Sequence, residues 1–352
     1  MGSMTDQAGS GHLGIDSPVT TIFDFGYTEG REQLLRLYDK GTRRQWIGSD
    51  RIDWTLEIDP DNPVGWPDEL IPIAGTPWWE EMDEARRGEV RRHIEAWRFS
   101  QFMHGEQGAL MCAAKIVQTV PDIDSKFYAA TQVIDEARHV EVYSRYLHEK
   151  IQLEYPMNPH LGSLLDDTIS DARWDFTYLG MQVIIEGLAL AAFGTIRNLA
   201  TDPLARAINA YVMQDEARHV TFGRLALRDF YPELTAAERD EREEFCVDAC
   251  YLMRDRFLGE EVWERLGLSP EVAEYVEHSE SMRSFRSLLF MRIVPILKDI
   301  GLWGPRIQRA FTDMGIMGFA ETDLDAEMTH DERAAEEFDA QMTHVRTVAA
   351  SS

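Results

Sequence analysis

The sequence predicts an all-α protein, a four-helix bundle core with additional helices before and after it. The hexapeptide Asp-Glu-Ala-Arg-His-Val occurs twice, at 135–140 and 215–220, an internal repeat offset by eighty residues. Glu106 precedes Glu136 by thirty residues, and Glu186 precedes Glu216 by the same interval. Each interval holds one strong breaker near its middle: Pro121 with Asp122 and Asp124 beside it, and Thr201-Asp202-Pro203. Each half is therefore expected to be an antiparallel helical hairpin. At about 1.5 Å per residue, both glutamates of a hairpin stand roughly 20 Å from its turn and face each other at one level.

The elements follow in order. Met1-Gly2-Ser3 ahead of Met4 reads as a vector-derived remnant, and the segment to about Ser17 is expected to be loose. Leu34, Leu35, Leu37 and Tyr38 give residues 27–48 helical periodicity. Residues 49–78 carry five prolines with Trp54, Trp66 and Trp78, which reads as an irregular wrap over a core. The first bundle helix is expected within 79–120 and the second over about 125–154. Pro156, Pro159 and Gly162 mark 155–167 as the long connection between hairpins. The third helix is expected from near Ser170 through Glu186, and the fourth from about Leu204 to Phe230, where Tyr231-Pro232 ends it. Gly187 in the third helix signals either space or an irregular turn near the centre, or close helix packing.

Thr235 is a plausible cap for a helix reaching Phe257. Further helices are expected at 260–265, 269–278 and 282–299, the last bent or broken by Pro295. A turn at 301–305 precedes a short amphipathic segment to about Met317, and a helix is possible at 331–342. These later helices are expected to brace the bundle or to form a homodimer face. Residues 18–318 thus read as a single helical domain with a core of about 86–230. Residues 1–17 and 319–352 read as loose or peripheral.

Charge excludes some functions. A net charge of −27 gives no basic footprint for nucleic acid. The chain shows no basic-then-apolar leader and no apolar run of eighteen residues, so no membrane partner is expected. Cys112, Cys246 and Cys250 form neither a disulfide framework nor a zinc spacing, and a reduced, cytoplasmic protein fits them.

Glu136 and His139, and Glu216 and His219, are three residues apart and share a helix face. With Glu106 and Glu186, the four helices offer four carboxylates and two imidazoles to one point. This is the ligand set of a ferritin-like dinuclear site. Four carboxylates buried unpaired would be prohibitively costly, and two divalent cations cancel them. Apolar neighbours of Glu186, from Met181 to Leu190, argue that it lies inside the bundle. Asp135 and Asp215 precede the repeated glutamates. Either can accept the free ring N–H of a histidine across the bundle, and Arg138 and Arg218 can pair with these acids.

These residues resemble those of ferritin-like dinuclear-iron proteins over about 100–230. The paired Asp-Glu-x-Arg-His motifs are most similar to the hydroxylase subunits of bacterial multicomponent monooxygenases and to the arylamine N-oxygenases. The resemblance implies that Glu106, Glu136 and His139 bind one iron, and Glu186, Glu216 and His219 the other. It also implies O2 as co-substrate, an external electron donor or reductase, and a small apolar or aromatic organic substrate. Iron is the expected metal, with manganese or a mixed Mn/Fe pair as alternatives. Two positions depart from the pattern. Leu190 stands where the hydroxylases carry Thr, and Val212 where the N-oxygenases carry a third histidine. Tyr143, four residues after His139, resembles the radical tyrosine of the ribonucleotide reductase small subunit and supports a rival reading as a radical-generating protein. Against that rival, the ligand set starts with Glu106 and no tyrosine follows Tyr275. Iron storage without substrate chemistry is a third alternative, but it leaves the residues after the bundle unexplained.

Overall fold

The computed structural model describes residues 12–27 and 30–351, and among them every regular element is a helix. Of the segment expected to be loose, 1–11 lie outside the described residues, and 12–17 carry no regular element. The first helix, α1 (Glu32–Arg43), is shorter than the periodicity predicts. It buries Leu34 and Leu37 against the bundle. The wrap then runs through two single turns, α2 (Gly48–Arg51) and α3 (Pro77–Glu80). Its Val64 carbonyl accepts from Thr201 and Asp202, tying it to the turn between the third and fourth bundle helices.

The bundle begins with α4 (Glu84–Thr119), capped by Asp83 and ended where Pro121 holds Val120 extended. Asp122 caps α5 (Ile123–Arg145), so the first hairpin turn is a proline stop followed at once by a cap. The expected end at Glu154 is not a regular α-helix. A π-helical segment, Tyr146–Ile151, widens the coil before Gln152 turns left-handed at φ 55°. The connection after it is not irregular throughout, because it contains α6 (Pro159–Ser170). Pro159 sits in the first turn of this helix, where its missing N–H costs nothing, and Asn158 caps it. Leu161, Leu164 and Leu165 make its buried stripe.

The third bundle helix therefore starts later than Ser170. It is α7 (Trp174–Thr177), a π-helical segment (Tyr178–Ile185) and α8 (Glu186–Leu199) in continuous succession. Residues Trp174–Leu199 reach a mean hydropathy of 1.7 over eighteen residues, enough in length and composition to cross a membrane. That window is 83% buried inside the protein, which marks a core helix. The fourth bundle helix, α9 (Pro203–Phe230), has Asp202 as cap and Pro203 in its first turn. α4 packs along α5, and α8 along α9. Gly187 is a close-packing glycine: a Cβ there would lie 3.1 Å from Ile293. The irregular turn lies just before it, in the π-helical segment.

A capping box of Thr235 and Glu238 starts α10 (Ala236–Asp255), which packs on α6 and the π-helical segment. A 3₁₀ turn, Arg256–Leu258, leads to α11 (Glu260–Arg265) and α12 (Pro270–His278). The helix expected over 282–299 is two helices, α13 (Glu280–Leu289) and α14 (Ile293–Asp299). The break falls at 290–292 rather than at Pro295. That proline is in the first turn of α14, where no helical N–H bond is lost. α15 (Pro305–Asp313) packs on α10. The helix expected at 331–342 is part of a longer α16 (Leu324–Ser351), which lies on α9 and is tied to the body by Arg224–Asp325 and Arg292–Asp331 pairs. All three cysteines are free and buried.

Candidate metal centre

α4 brings Glu106, α5 brings Glu136 and His139, α8 begins with Glu186, and α9 brings Glu216 and His219. All six are buried. Their donor atoms form two overlapping groups: Glu106, Glu136, His139 and Glu216 in one, and Glu136, Glu186 and His219 in the other. His139 Nδ1 lies 3.2 Å from Glu136 Oε2 and 3.1 Å from Glu216 Oε1. His219 Nδ1 lies 3.1 Å from the other oxygen of Glu136 and 3.5 Å from Glu216 Oε1. Glu136 therefore shows one oxygen to each imidazole and belongs to both donor groups.

The outer ring nitrogens are held crosswise. His139 Nε2, on α5, meets Asp215 Oδ2 of α9 at 3.1 Å. His219 Nε2, on α9, meets Asp135 Oδ2 of α5 at 3.3 Å. With Nε2 facing an aspartate, each ring turns Nδ1 to the centre, so the hydrogen bond selects the donor nitrogen. Arg138 pairs with Asp135 and Arg218 with Asp215, one helical turn apart. Arg138 also reaches the Trp46 carbonyl at 2.8 Å and stacks over the Trp46 ring.

Several supporting residues carry no motif. Gln45 donates to Asp135 Oδ1 at 2.7 Å, and the Trp46 indole donates to Asp215 Oδ2 at 2.8 Å. Both follow α1 in the chain. Gln132 and Gln182 are fully buried and hydrogen-bonded to each other, and Gln132 donates to Glu136 and Glu186, each at 2.8 Å. Gly223 admits this pair to the core, since a Cβ there would fall 2.4 Å from Gln182 Cβ. Each glutamine stands one helical turn before a glutamate, which is the only signal that could have marked it. The repeat is broken here: the positions equivalent to Gln132 and Gln182 are Val212 and Phe102. One flank of the centre is thus braced by amides. The other is apolar and borders a cavity between α4 and α8, lined by Phe102, Gly105, Glu106, Glu186 and Phe193.

The donor set fits two metal ions. Glu136 Oε2, Glu216 Oε1 and His219 Nδ1 are buried with no hydrogen-bond partner, although they converge on one another. Orphaned acceptors meeting at a point are what a cation would satisfy. The charge distribution is strained in the same sense. Burial, then the Glu216 carboxylate, raises Glu106 well above the usual carboxylate range, and burial raises Glu186 likewise. Burial disfavours charge on both imidazoles. Even so, Glu106 raises His139 well above its ordinary value, and Glu136 does the same for His219. The side chains thus share protons to reduce mutual repulsion, a role that dications replace.

Tyr143 is buried among Phe99, Phe102 and Phe193, and its hydroxyl donates to Asn209 Oδ1 at 3.2 Å. Leu190 and Val212 are buried aliphatic positions, so no third imidazole enters from α9 at residue 212.

Bundle and donor set together define a ferritin-like oxidoreductase of the O2-activating diiron class. The family model of the p-aminobenzoate N-oxygenase AurF matches residues 28–301, and the chain belongs to that family. No curated protein matches it. Similar solved structures include a protein with aldehyde deformylating oxidase activity from Synechococcus, at 16% identity, TM-score 0.46, over 64% of this chain and 97% of that one. They also include a variant R2-like ligand-binding oxidase with a reconstituted Mn/Fe cofactor, at 17% identity, TM-score 0.48, over 79% and 96%.

Proposed function

We propose that this chain oxygenates a small apolar or aromatic organic substrate. Glu106, Glu136, His139, Glu186, Glu216 and His219 are its metal ligands. Family membership favours an arylamine nitrogen as the acceptor of oxygen. When bound, two iron ions would take electrons from an external donor or reductase and activate O2. Manganese in one or both positions suits the same oxygen and nitrogen donors. The observation that carries the assignment is Glu136, whose two oxygens face the two imidazoles from the bundle centre.

The protein's own groups then have definite tasks. Asp215 and Asp135 hold the protons on His139 Nε2 and His219 Nε2. Gln132 and Gln182 fix Glu136 and Glu186 on the closed flank, which leaves the Phe102 flank for O2 and substrate. Tyr143 packs and hydrogen-bonds beside the centre and stores no radical. A homodimer in the cytoplasm completes the reading, with no nucleic-acid or membrane partner.

The test is metal analysis of the protein grown with ample iron, followed by turnover of reduced protein with isotopically labelled O2 and an arylamine panel. About two metals per chain and label in the product support the proposal. A stable tyrosyl radical, abolished in Tyr143→Phe, with no labelled product from any arylamine, would overturn it in favour of the radical reading.

A further inference from the structure

Gln132 and Gln182 are both fully buried, and their hydrogen bonds do not close as they stand. Gln132 Nε2 has two hydrogens for three acceptors: Glu136 Oε1 and Glu186 Oε1 at 2.8 Å each, and Gln182 Oε1 at 3.1 Å. Gln182 Oε1 also faces both oxygens of Glu186, at 2.7 and 3.0 Å, so acceptor meets acceptor. An amide turned by 180° exchanges oxygen and nitrogen within nearly the same shape. With Gln182 turned, its nitrogen donates to both Glu186 oxygens, but its oxygen then stands 2.7 Å from Gln132 Oε1. With both amides turned, the Gln132 nitrogen donates to the Gln182 oxygen across that 2.7 Å, and Gln182 still donates to Glu186. What remains is the Gln132 oxygen, now 2.8 Å from Glu136 Oε1 and from Glu186 Oε1. Buried oxygens that converge so closely need a positive partner between them.

The metal reading already puts a cation at that place. Glu136, Glu186 and His219 form the smaller donor group, three residues against four around His139. His219 Nδ1 lies 3.1 Å from Glu136 Oε1, the oxygen that Gln132 meets. Ligands on adjacent corners of an octahedron with bonds of about 2.1 Å stand about 3 Å apart, which is the spacing of these atoms. A proton on Glu186 would satisfy the amides as they stand. A dication displaces that proton and reverses them.

Resting on the metal-centre reading, we propose that Gln132 is a further metal ligand: its carbonyl oxygen joins Glu136, Glu186 and His219 on one ion. Gln182 accepts the Gln132 N–H and donates to Glu186, so the second amide holds the first with its oxygen inward. An amide carbonyl is a neutral donor of the kind manganese favours, and it adds no charge to a core already rich in carboxylate. Across the repeat Val212 offers no such donor, so the two ions are unlike although the motif that holds them is repeated.

The probe is cobalt(II), titrated into the full-length chain after chelator treatment, with calorimetry and visible absorption read on the same sample. Two ions are expected to bind. In Gln132→Leu the new side chain fills the space of the amide and keeps water out of it. That variant should still bind two ions, one weakened at least tenfold and the other within twofold. The visible band of the weakened ion should intensify as its coordination number falls. Melting temperature verifies the fold of the variant, and if Gln132→Leu does not fold, Gln132→Met, closer in shape, is read in the same way. Two ions held as tightly as in the unaltered chain overturn the proposal. Equal weakening of both ions overturns it too, as does one weakened ion with an unchanged band, because a hydrogen-bonded brace acts without changing coordination. An unaltered chain that takes up no cobalt removes the metal reading itself, and the added ligand with it.

Discussion

The indole N–H of Trp46 donates to Asp215 Oδ2, and that same oxygen faces His139 Nε2. A residue outside the four bundle helices therefore helps to set the orientation of an imidazole at their centre. Trp46→Phe keeps most of the ring and removes the donor. The variant should lose about 1–2 kcal/mol of stability, measured by urea denaturation, because a buried carboxylate loses a partner. An unchanged midpoint would show that Asp215 is satisfied without it.

The crossed Asp–His pairs make a sharper test. Asp215→Asn and Asp135→Asn should each weaken metal binding about 10- to 100-fold. In double-mutant cycles read by metal titration, Asp215 should couple to His139 and Asp135 to His219. Equal coupling of each aspartate to both histidines would contradict a specific crossed arrangement.

Tyr143→Phe should retain two metals and measurable product, with altered rate or coupling at most. Metal analysis and labelled-oxygen turnover on one sample check this. Loss of all product with metals intact would give the hydroxyl a direct part in the chemistry.

Removing the metals with a chelator should lower the melting temperature, and iron(II) should restore it. An ion at about 1,000 times its dissociation constant stabilises the native state by about 4 kcal/mol. A melting temperature indifferent to iron(II) would argue against binding at the buried cluster.

Gly105→Ala should raise stability by up to about 1 kcal/mol. It adds helix propensity in α4, and its Cβ enters open space. The same change at Gly187 should gain less, because Ile293 must yield. Urea midpoints of the two variants compare them directly.

The bundle was legible because its evidence is chemical and periodic. Two hairpins with breakers midway, and Glu and His one turn apart, leave few other arrangements for residues 106–219. The six side chains do come together in the structure. Proline was the less reliable guide: Pro159 and Pro295 both lie in first turns, where a proline starts a helix as well as it stops one. Apart from Gly187, which allowed for an irregular turn nearby, the π-helical segments left no trace, since widening a helix changes its hydrogen-bond partners and not its composition. Gln45 and Trp46 were invisible for another reason. Each acts through a tertiary contact with a distant element, and no local spacing announces such a contact.

The crosswise aspartates also bear on how the two halves of this chain depend on each other. Each hairpin carries its own glutamates and histidine, yet neither holds the aspartate that orients its ring. Severed in the stretch around Met157, the two fragments would each present an imidazole free to choose either tautomer. Only reassociation about the approximate twofold relation between them would restore the choice.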